Sequence, residues 1–175
     1  MHVFTSGDEA ELFLNGKSLG RRKKGEYEYR LRWDNIKYEP GELKVVAYKA
    51  GEKWAEDSVK TTGEPAVLNA TTDRSTIHAD GNDLAFITVK ISDKEELTVP
   101  QADNPVSFSI KGPGKIVATD NGDPTDMNEF HSTERKAFSG LALVIIQSEA
   151  GTTGTITVTA ESPGLKVDTV QNRSR

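Results

Sequence analysis

The chain has 175 residues, 22 basic and 27 acidic side chains, a formal net charge of −5, and no cysteine, which excludes disulfides, zinc–thiolate sites and cysteine nucleophiles. Residues 1–63 carry 12 basic and 11 acidic side chains and residues 64–175 carry 10 and 16, a balance that argues against nucleic acid as a partner. No apolar run approaches the roughly 20 residues that cross a bilayer, so we expect no membrane insertion.

The first 60 residues show the alternation of apolar and polar side chains that is typical of strands buried on one face. The run Glu9–Asn15 alternates strictly, and the pair Asn15-Gly16 that closes it is a strong signal for a tight hairpin turn. The next predicted strand carries an apolar stripe on one face, made of Tyr27, Tyr29, Leu31 and Trp33.

The last strand of this part, Lys53–Lys60, draws attention to one aromatic side chain. Ala55 and Val59 share a face and suit the core, which places Trp54 on the opposite, outer face. Because an exposed indole carries a large apolar surface, we expect Trp54 to be a contact residue. Its candidate partners are the second domain, a further part of a larger protein, or a sugar ring.

A joint follows at Thr61–Leu68. Gly63 can adopt backbone angles that other residues avoid, and Pro65 fixes its own φ and removes a hydrogen-bond donor. A Gly-x-Pro run between two β-patterned regions indicates a boundary between domains. We therefore predict a small domain over residues 1–62 and a larger one over residues 63–175.

The larger domain shows seven short strand patterns separated by turn residues, which favours a β-sandwich. Within it, Leu141–Ile146 is apolar on both sides, as expected for a central strand covered on both faces. No amphipathic helix is predicted. The predicted strands are Val67–Thr72, Leu84–Ser92, Val106–Ile110, Lys115–Thr119, Ala137–Gln147, Thr155–Ala160 and Leu165–Val170.

No constellation of catalytic side chains is present in the sequence. His2, His78 and His131 are far apart and follow no metal-ligand spacing, and no two carboxylates are paired by the pattern. The acidic loop Asp120–Glu129 is the densest cluster of hard oxygen donors, and calcium is the cation that such donors would hold. The same residue types also form turns, so the pattern favours a turn over a calcium site. We expect no catalytic residue, no metal and no cofactor.

The run Glu9–Gly20, Glu-Ala-Glu-Leu-Phe-Leu-Asn-Gly-Lys-Ser-Leu-Gly, resembles the small immunoglobulin-like domain that follows the catalytic barrel in bacterial glycoside hydrolase family 2 enzymes, the β-galactosidase group. The second domain resembles the invasin-like immunoglobulin-fold domain that comes next in those enzymes. The other stretches that carry the resemblance are Tyr38–Leu43, Ala47-Tyr48, Thr61–Ala66, Asp73-Arg74, Ala79–Leu84, Val99-Pro100, Asn121–Pro124 and Ala137–Gly140.

This resemblance implies an all-β fold of two tandem immunoglobulin-like β-sandwich domains. It implies a non-catalytic accessory region whose partner is the catalytic barrel of the parent enzyme, and a periplasmic or extracellular location. The family's catalytic glutamates lie on the barrel, and no residue of this chain matches their motifs. One departure from the family pattern is Asp93-Lys94-Glu95-Glu96, which occupies a hairpin where an Asp-x-Gly turn is expected.

Two other functions remain open. One is a carbohydrate-binding module, with aromatic side chains stacking on sugar rings. The other is a surface adhesin segment, since invasin-like domains also occur in arrays. Adhesin arrays usually repeat one domain, whereas the two halves of this chain do not repeat each other.

Overall fold

The computed structural model describes all 175 residues and contains fifteen β-strands. No helix long and apolar enough to span a membrane is present. The strands form two compact units, Met1–Thr61 and Thr62–Arg175. Each unit contains two sheets that enclose a core of apolar side chains, so the predicted fold class of two tandem immunoglobulin-like β-sandwiches is confirmed.

The first unit contains a two-stranded and a four-stranded sheet, with orders β1-β4 and β3-β2-β5-β6, and every pairing in them is antiparallel. Its core holds Val3, Leu31 and Trp33 from one side and Ala10, Leu12 and Ala47 from the other. Its strands are β1 (His2–Phe4), β2 (Glu9–Leu14), β3 (Lys17–Lys23), β4 (Arg30–Arg32), β5 (Glu42–Lys49) and β6 (Glu52–Lys60).

The predicted hairpin turn between β2 and β3 is confirmed. Asn15 and Gly16 have φ values of 50° and 77°, the left-handed conformation that this turn requires. The Asn15 side chain also reaches the next turn, since its Nδ2 donates to the Pro40 carbonyl at 3.0 Å and its Oδ1 accepts from the Glu42 N–H at 2.8 Å. One side chain therefore joins the hairpin to the start of β5.

The predicted buried stripe is only half correct. Leu31 and Trp33 are buried, but Tyr27 and Tyr29 are 90% and 68% exposed. Strand β4 begins only at Arg30, so both tyrosines precede it. An alternating pattern fixes which side chains share a face of a strand, but it cannot show that the chain is a strand at that point.

The prediction that Ala55 and Val59 belong to the core is wrong. Pairing places them opposite Ala47 and Leu43, on the core side of the sheet, yet all nine residues of β6 are exposed. The reason is geometric: the opposing sheet has two strands against four, and the edge strand β6 has no cover. Trp54 is exposed together with its neighbours.

The second unit contains a five-stranded sheet of order β12-β10-β14-β15-β8 and a four-stranded sheet of order β11-β13-β9-β7. All pairings are antiparallel except β15 with β8. The strands are β7 (Val67–Thr72), β8 (Thr76–Ile77), β9 (Leu84–Ser92), β10 (Pro105–Lys111), β11 (Gly114–Asp120), β12 (Glu134–Lys136), β13 (Leu141–Ser148), β14 (Gly154–Glu161) and β15 (Asp168–Ser174).

Two predicted strands of this unit differ from the structure. The run Ala137–Gln147 is interrupted by a turn in which Ser139 and Gly140 both have positive φ, so only β13 is continuous. The strand expected at Leu165–Val170 begins later in the structure, as β15, which covers Asp168–Ser174.

Strand β13 is not covered on both faces, contrary to expectation. Ala142, Val144 and Ile146 are buried in the core, whereas Leu141 is 39% exposed and Leu143 and Ile145 are half-buried. The strand is central within its sheet but faces the core on one side only. Its second apolar side forms part of a surface.

Candidate functional site

Trp54, the one candidate contact residue, lies at a bulge between β5 and β6. The register shifts there, since Ala47 pairs with Ala55 and Tyr48 pairs with Lys53. The indole is 54% exposed, its Nε1 donates to Ser6 Oγ at 3.0 Å, and Lys49 Nζ lies 4.7 Å from the ring centroid. The polar atom of the indole is therefore satisfied within the first unit, and a cation covers part of its ring.

The acidic loop Asp120–Glu129 is closed by its own backbone. Its aspartates accept hydrogen bonds from N–H groups one or two residues ahead, as when Asp126 Oδ1 accepts from Asn128 N at 2.9 Å. That N–H, followed by the Arg135 guanidinium, holds the pKa of Asp126 below its usual range. The carboxylates serve as turn residues, as the sequence pattern favoured.

The buried guanidinium of Arg135 lies against this loop. Arg135, on β12, is 2% exposed and donates to Asp126 Oδ2 at 3.0 Å. It also donates to the carbonyl oxygens of Thr119, Asn128 and Glu129 at 2.9, 3.2 and 2.8 Å. Of the side-chain oxygens that suggested calcium, one of Asp126 is therefore directed at the guanidinium, together with three backbone carbonyls. The fork geometry of arginine suits several acceptors at once.

The hairpin at Asp93–Leu97, which departs from the family pattern, is closed by hydrogen bonds of Asp93. Glu96 has φ of 64°, a left-handed conformation that glycine adopts more readily, and Asp93 N donates to the Leu97 carbonyl at 2.9 Å. Asp93 accepts from the N–H groups of Gly63, Leu97 and Glu95 at 2.7, 3.0 and 2.9 Å, and these bonds hold its pKa below the ordinary value. One buried carboxylate thus fixes both the hairpin and Gly63.

A positively charged cleft of about 360 Å³ lies in the first unit, between the end of β3 and β4. We call it the cationic cleft. Its walls contain four cations and two tyrosines, and Glu28 is its single carboxylate. Beside it, partial desolvation and the Arg30 guanidinium lower the pKa of His2, whose Nδ1 lies 3.4 Å from Arg30 Nη1. The cations and tyrosines of the walls are Arg22, Lys23, Arg30, Arg32, Tyr27 and Tyr29.

An apolar stripe lies on the outer side of the four-stranded sheet of the second unit. Phe86 on β9 pairs with Ile145 on β13, and Leu143 and Leu141 follow on the same side of β13. Phe86 is 38% exposed and Leu141 39%. Phe138, 43% exposed, forms a bridge with Leu141. We call these five residues the sheet face.

The carboxylates whose pKa is clearly shifted are all shifted downward. A glycosidase needs a carboxylic acid whose pKa is raised so that it can protonate the leaving group. Here the clear shifts go the other way: hydrogen bonds from Lys44 and then Lys53 lower the pKa of Glu56 to about 2, and Lys136 lowers that of Asp103. In the structure, no group of three or more His, Cys, Asp or Glu side chains is placed to hold a metal ion.

Sequence reasoning missed Arg135, the cationic cleft and the sheet face. The basic run Arg21–Lys24 carried a signal for the cleft, since Arg22 and Lys23 belong to it. The apolar second side of Leu141–Ile146 carried a signal for the sheet face. Nothing in the sequence indicated that Arg135 is buried, because the acceptors that surround it come from a loop.

Two family models match the chain. One, described as glycoside hydrolase family 2 C-terminal domain 5, matches residues 68–171, and one described as a domain of unknown function, DUF4982, matches residues 1–55. The chain is 43% identical over 163 residues to the beta-galactosidase BoGH2A of Bacteroides ovatus, covering 93% of this chain and 19% of that protein. It is 31% identical over 170 residues to a beta-glucuronidase of Formosa agariphila, covering 95% and 17%.

A solved structure agrees with these relatives. A glycosyl hydrolase family 2 member from Bacteroides cellulosilyticus superposes with a TM-score of 0.93 at 30% identity, over 99% of this chain and 22% of that one. The chain spans about a fifth of the length of the proteins it matches. The resemblance drawn from the sequence is confirmed: the chain belongs to glycoside hydrolase family 2, and its second unit is a C-terminal domain of that family.

Proposed function

We propose that this chain is a non-catalytic accessory region of a β-galactosidase-like enzyme, and that it packs against the catalytic barrel of that enzyme and stabilises it. The relative with 43% identity is named a beta-galactosidase and the one with 31% a beta-glucuronidase. The higher identity to the first supports galactoside chemistry for the parent enzyme. Membership of glycoside hydrolase family 2 favours this role over the adhesin segment.

The observation that carries the proposal is the sheet face. Phe86 and Leu141 expose apolar surface at the two ends of a stripe along β13 that Leu143 and Ile145 join, and Phe138 adds to it beside Leu141. Contiguous apolar patches of this kind mark sites of protein contact, because leaving them in water forgoes about 25 cal/mol per Å². The stripe lies on a regular strand whose alternate residues, Ala142, Val144 and Ile146, are buried in the core beneath it.

The carboxylates support the non-catalytic part of the proposal. Asp93 and Asp126 bind backbone N–H groups, and Glu56 and Asp103 bind lysines. Each is held in its ionised form and cannot act as a proton donor near neutral pH. The 175-residue chain should therefore hydrolyse no chromogenic galactoside, glucuronide or mannoside above the buffer rate. Turnover that persists through purification and disappears when a carboxylate of this chain is replaced would contradict the proposal.

The packing role is tested in the full-length enzyme. Replacing Phe86 and Leu141 together by serine should lower the midpoint of thermal inactivation by about 4 °C or more, since an apolar contact with the barrel is lost. The rate per active molecule at 25 °C should not change. Met127→Ser is the matched control, because Met127 is 91% exposed and lies outside the sheet face.

The same double variant must also be measured in the 175-residue chain. There its thermal midpoint should change much less, because the sheet face has no partner in the isolated chain. An equal loss in both proteins would show that the two side chains stabilise only their own unit, and would contradict the packing role.

Trp54 is a second proposed contact. About half of the indole is exposed, and its N–H already donates a hydrogen bond to Ser6. The exposed part of the ring is therefore apolar and needs no polar partner. We propose that it packs against protein rather than sugar. A saturable change of tryptophan fluorescence with galactose or lactose, lost in Trp54→Ala, would contradict this and favour the carbohydrate-binding alternative.

A further inference from the structure

The cationic cleft of the first unit contains charges that the protein does not neutralise. Arg22, Lys23 and Arg30 line it, and none of the three forms an ion pair with a carboxylate. Like charges in one concave site repel one another, and low-dielectric walls concentrate their field. The arrangement costs stability in the free protein, and an anion bound there would relieve that cost.

The negative groups at the cleft are already engaged elsewhere. Glu28, the single carboxylate in its walls, accepts the backbone N–H of Gly25 at 2.8 Å. Arg32 is paired with Asp34 at 2.6 Å, so the other three cations and the Glu28 carboxylate leave the site with a net charge of about +2. The chain as a whole has a net charge of −5, so this positive site does not follow from an overall basic composition.

Two aromatic rings complete the cleft. Tyr27 is 90% exposed and Tyr29 is 68% exposed, and Arg30 lies 5.4 Å from the Tyr29 ring centroid. Tyr29 also stacks on Phe4 with ring centroids 6.2 Å apart, so the open ring is that of Tyr27. An open ring beside cations suits a ligand that has both apolar C–H surface and negative charge. Sugar rings that carry carboxylate or sulfate groups have both.

We propose that the cationic cleft is a binding site for an anionic oligosaccharide, with Arg22, Lys23 and Arg30 receiving the charged groups and Tyr27 stacking on a sugar ring. The cleft volume of about 360 Å³ suits a short oligosaccharide and lies within the range of small-ligand sites. A duplex or long nucleic acid would need an extended basic surface, and the second unit, with 16 acidic and 10 basic residues, offers none. This site is independent of the packing role proposed for the sheet face.

Binding is measured by calorimetry with the 175-residue chain and short oligosaccharides. A trimer of galacturonic acid tests carboxylate, a chondroitin sulfate tetrasaccharide tests sulfate as well, and galactotriose is the neutral control. At least one anionic probe should bind saturably at one site, and its affinity should fall as NaCl is raised from about 0.05 M to about 0.5 M. Galactotriose should not bind.

Variants then assign the site. Arg30→Gln and Lys23→Gln should each weaken the anionic probe about fivefold to tenfold, as expected for one charge-assisted hydrogen bond at a partly exposed site. Tyr27→Ala should weaken it too, and cannot disturb the core because the ring is 90% exposed. Lys17→Gln is the matched control: it removes one exposed cation from the same strand, β3, outside the cleft. It should change affinity less than twofold.

Several results would overturn the proposal. These are no saturable binding of either anionic probe, equal binding of galactotriose, or a loss in Lys17→Gln as large as that in Arg30→Gln. Two further probes separate the other polyanions: a hexaglutamate peptide and a hexathymidylate that bind as tightly as the saccharides would show a site for acidic protein or single-stranded nucleic acid instead. No variant should have a thermal midpoint below that of the parent chain, which keeps a binding loss distinct from unfolding.

Discussion

The two units of this chain bury their apolar side chains in different ways. The first unit has six side chains in its core, drawn from sheets of two and four strands, and Trp33 is the largest of them. The second unit has seventeen, drawn from sheets of five and four strands, and none of them dominates. The stability of the smaller core therefore depends mainly on Trp33, whereas many side chains of similar size stabilise the larger core.

Trp33→Ala should have the largest effect. Trp33 is 2% exposed, its Nε1 donates to the Gly20 carbonyl at 3.2 Å, and Arg22 lies 5.5 Å from its ring centroid. Removing it should cost about 3–5 kcal/mol, enough to unfold a small unit. Hydrogen exchange should show loss of protection throughout Val3–Val59 and none in Leu84–Ala160.

In the unmodified chain the same measurement should show Val3–Val59 opening before Leu84–Ala160, since the smaller core gives the lower free energy of opening. Equal protection of the two regions would contradict the comparison. A loss of protection in both regions on Trp33→Ala would show that the two units share one cooperative transition.

Arg135→Met should have the next effect, confined to the second unit. The guanidinium donates to the buried carbonyl of Thr119 and to the partly buried carbonyls of Asn128 and Glu129, and its removal leaves all three without this donor. We expect the free energy of unfolding of that unit to fall by about 3 kcal/mol, measured by urea unfolding followed by far-ultraviolet circular dichroism. Arg135→Lys keeps the charge but not the fork, and should recover only part of the loss. Full recovery by lysine would show that charge alone matters.

Both units should lose stability at low pH, but salt should reduce this loss in the first unit only. Backbone N–H groups, that of Gly63 first, lower the pKa of Asp93 in the second unit, and lysines lower that of Glu56 to about 2 in the first. A lowered pKa in the folded state gives stability that is present above the ordinary value of about 4 and is lost as pH falls through the lowered value. Both units should therefore lose stability below about pH 4.

Salt separates the two causes, because about 1 M NaCl screens the exposed Lys44–Glu56 pair but leaves buried backbone hydrogen bonds largely unscreened. The acid sensitivity of the first unit, followed by tryptophan fluorescence, should decrease in salt, and Glu56→Gln should remove its salt-sensitive part. The sensitivity of the second unit, followed by hydrogen exchange, should persist in salt and decrease in Asp93→Asn. The same salt response in both units would contradict this assignment.

Trp54→Ala should have the smallest effect and is the matched control for Trp33. The indole is half exposed and loses only the Ser6 hydrogen bond and the Lys49 contact. We expect the free energy of unfolding of the first unit to fall by less than about 1 kcal/mol in the 175-residue chain. A loss as large as that of Trp33→Ala would show that the exposed tryptophan also carries the fold.

Much of the second unit could be predicted from the sequence, because strict alternation between clear turn signals marks a strand. Val67–Thr72 and Leu84–Ser92 were predicted with the bounds that the structure shows. The two-residue strand β8 and the polar strand β12 were missed, since they carry no apolar period. Tyr27 and Tyr29 were assigned to the core because alternation does not distinguish a strand from an exposed loop that precedes one.

The candidate sites were less accessible to prediction, because they depend on tertiary neighbours. The cationic cleft brings together β3 and β4, which belong to different sheets, and the exposure of β6 follows from the narrowness of the sheet opposite. The burial of Arg135 depends on carbonyls up to 16 residues away. A local sequence pattern does not show which distant residues come together in the fold. The family motifs of the turns could be recognised, because a turn is formed by residues that are adjacent in the sequence.

Side-chain footprinting by hydroxyl radicals tests the central claim, that the sheet face packs against the rest of the enzyme, most directly. The reactivity of Phe86 and Phe138 is compared between the 175-residue chain and the full-length enzyme, with the buried core residue Phe108 as an unreactive reference. Both exposed phenylalanines should react in the isolated chain and become protected several-fold in the full-length enzyme. Equal reactivity of Phe86 and Phe138 in the two proteins would contradict it.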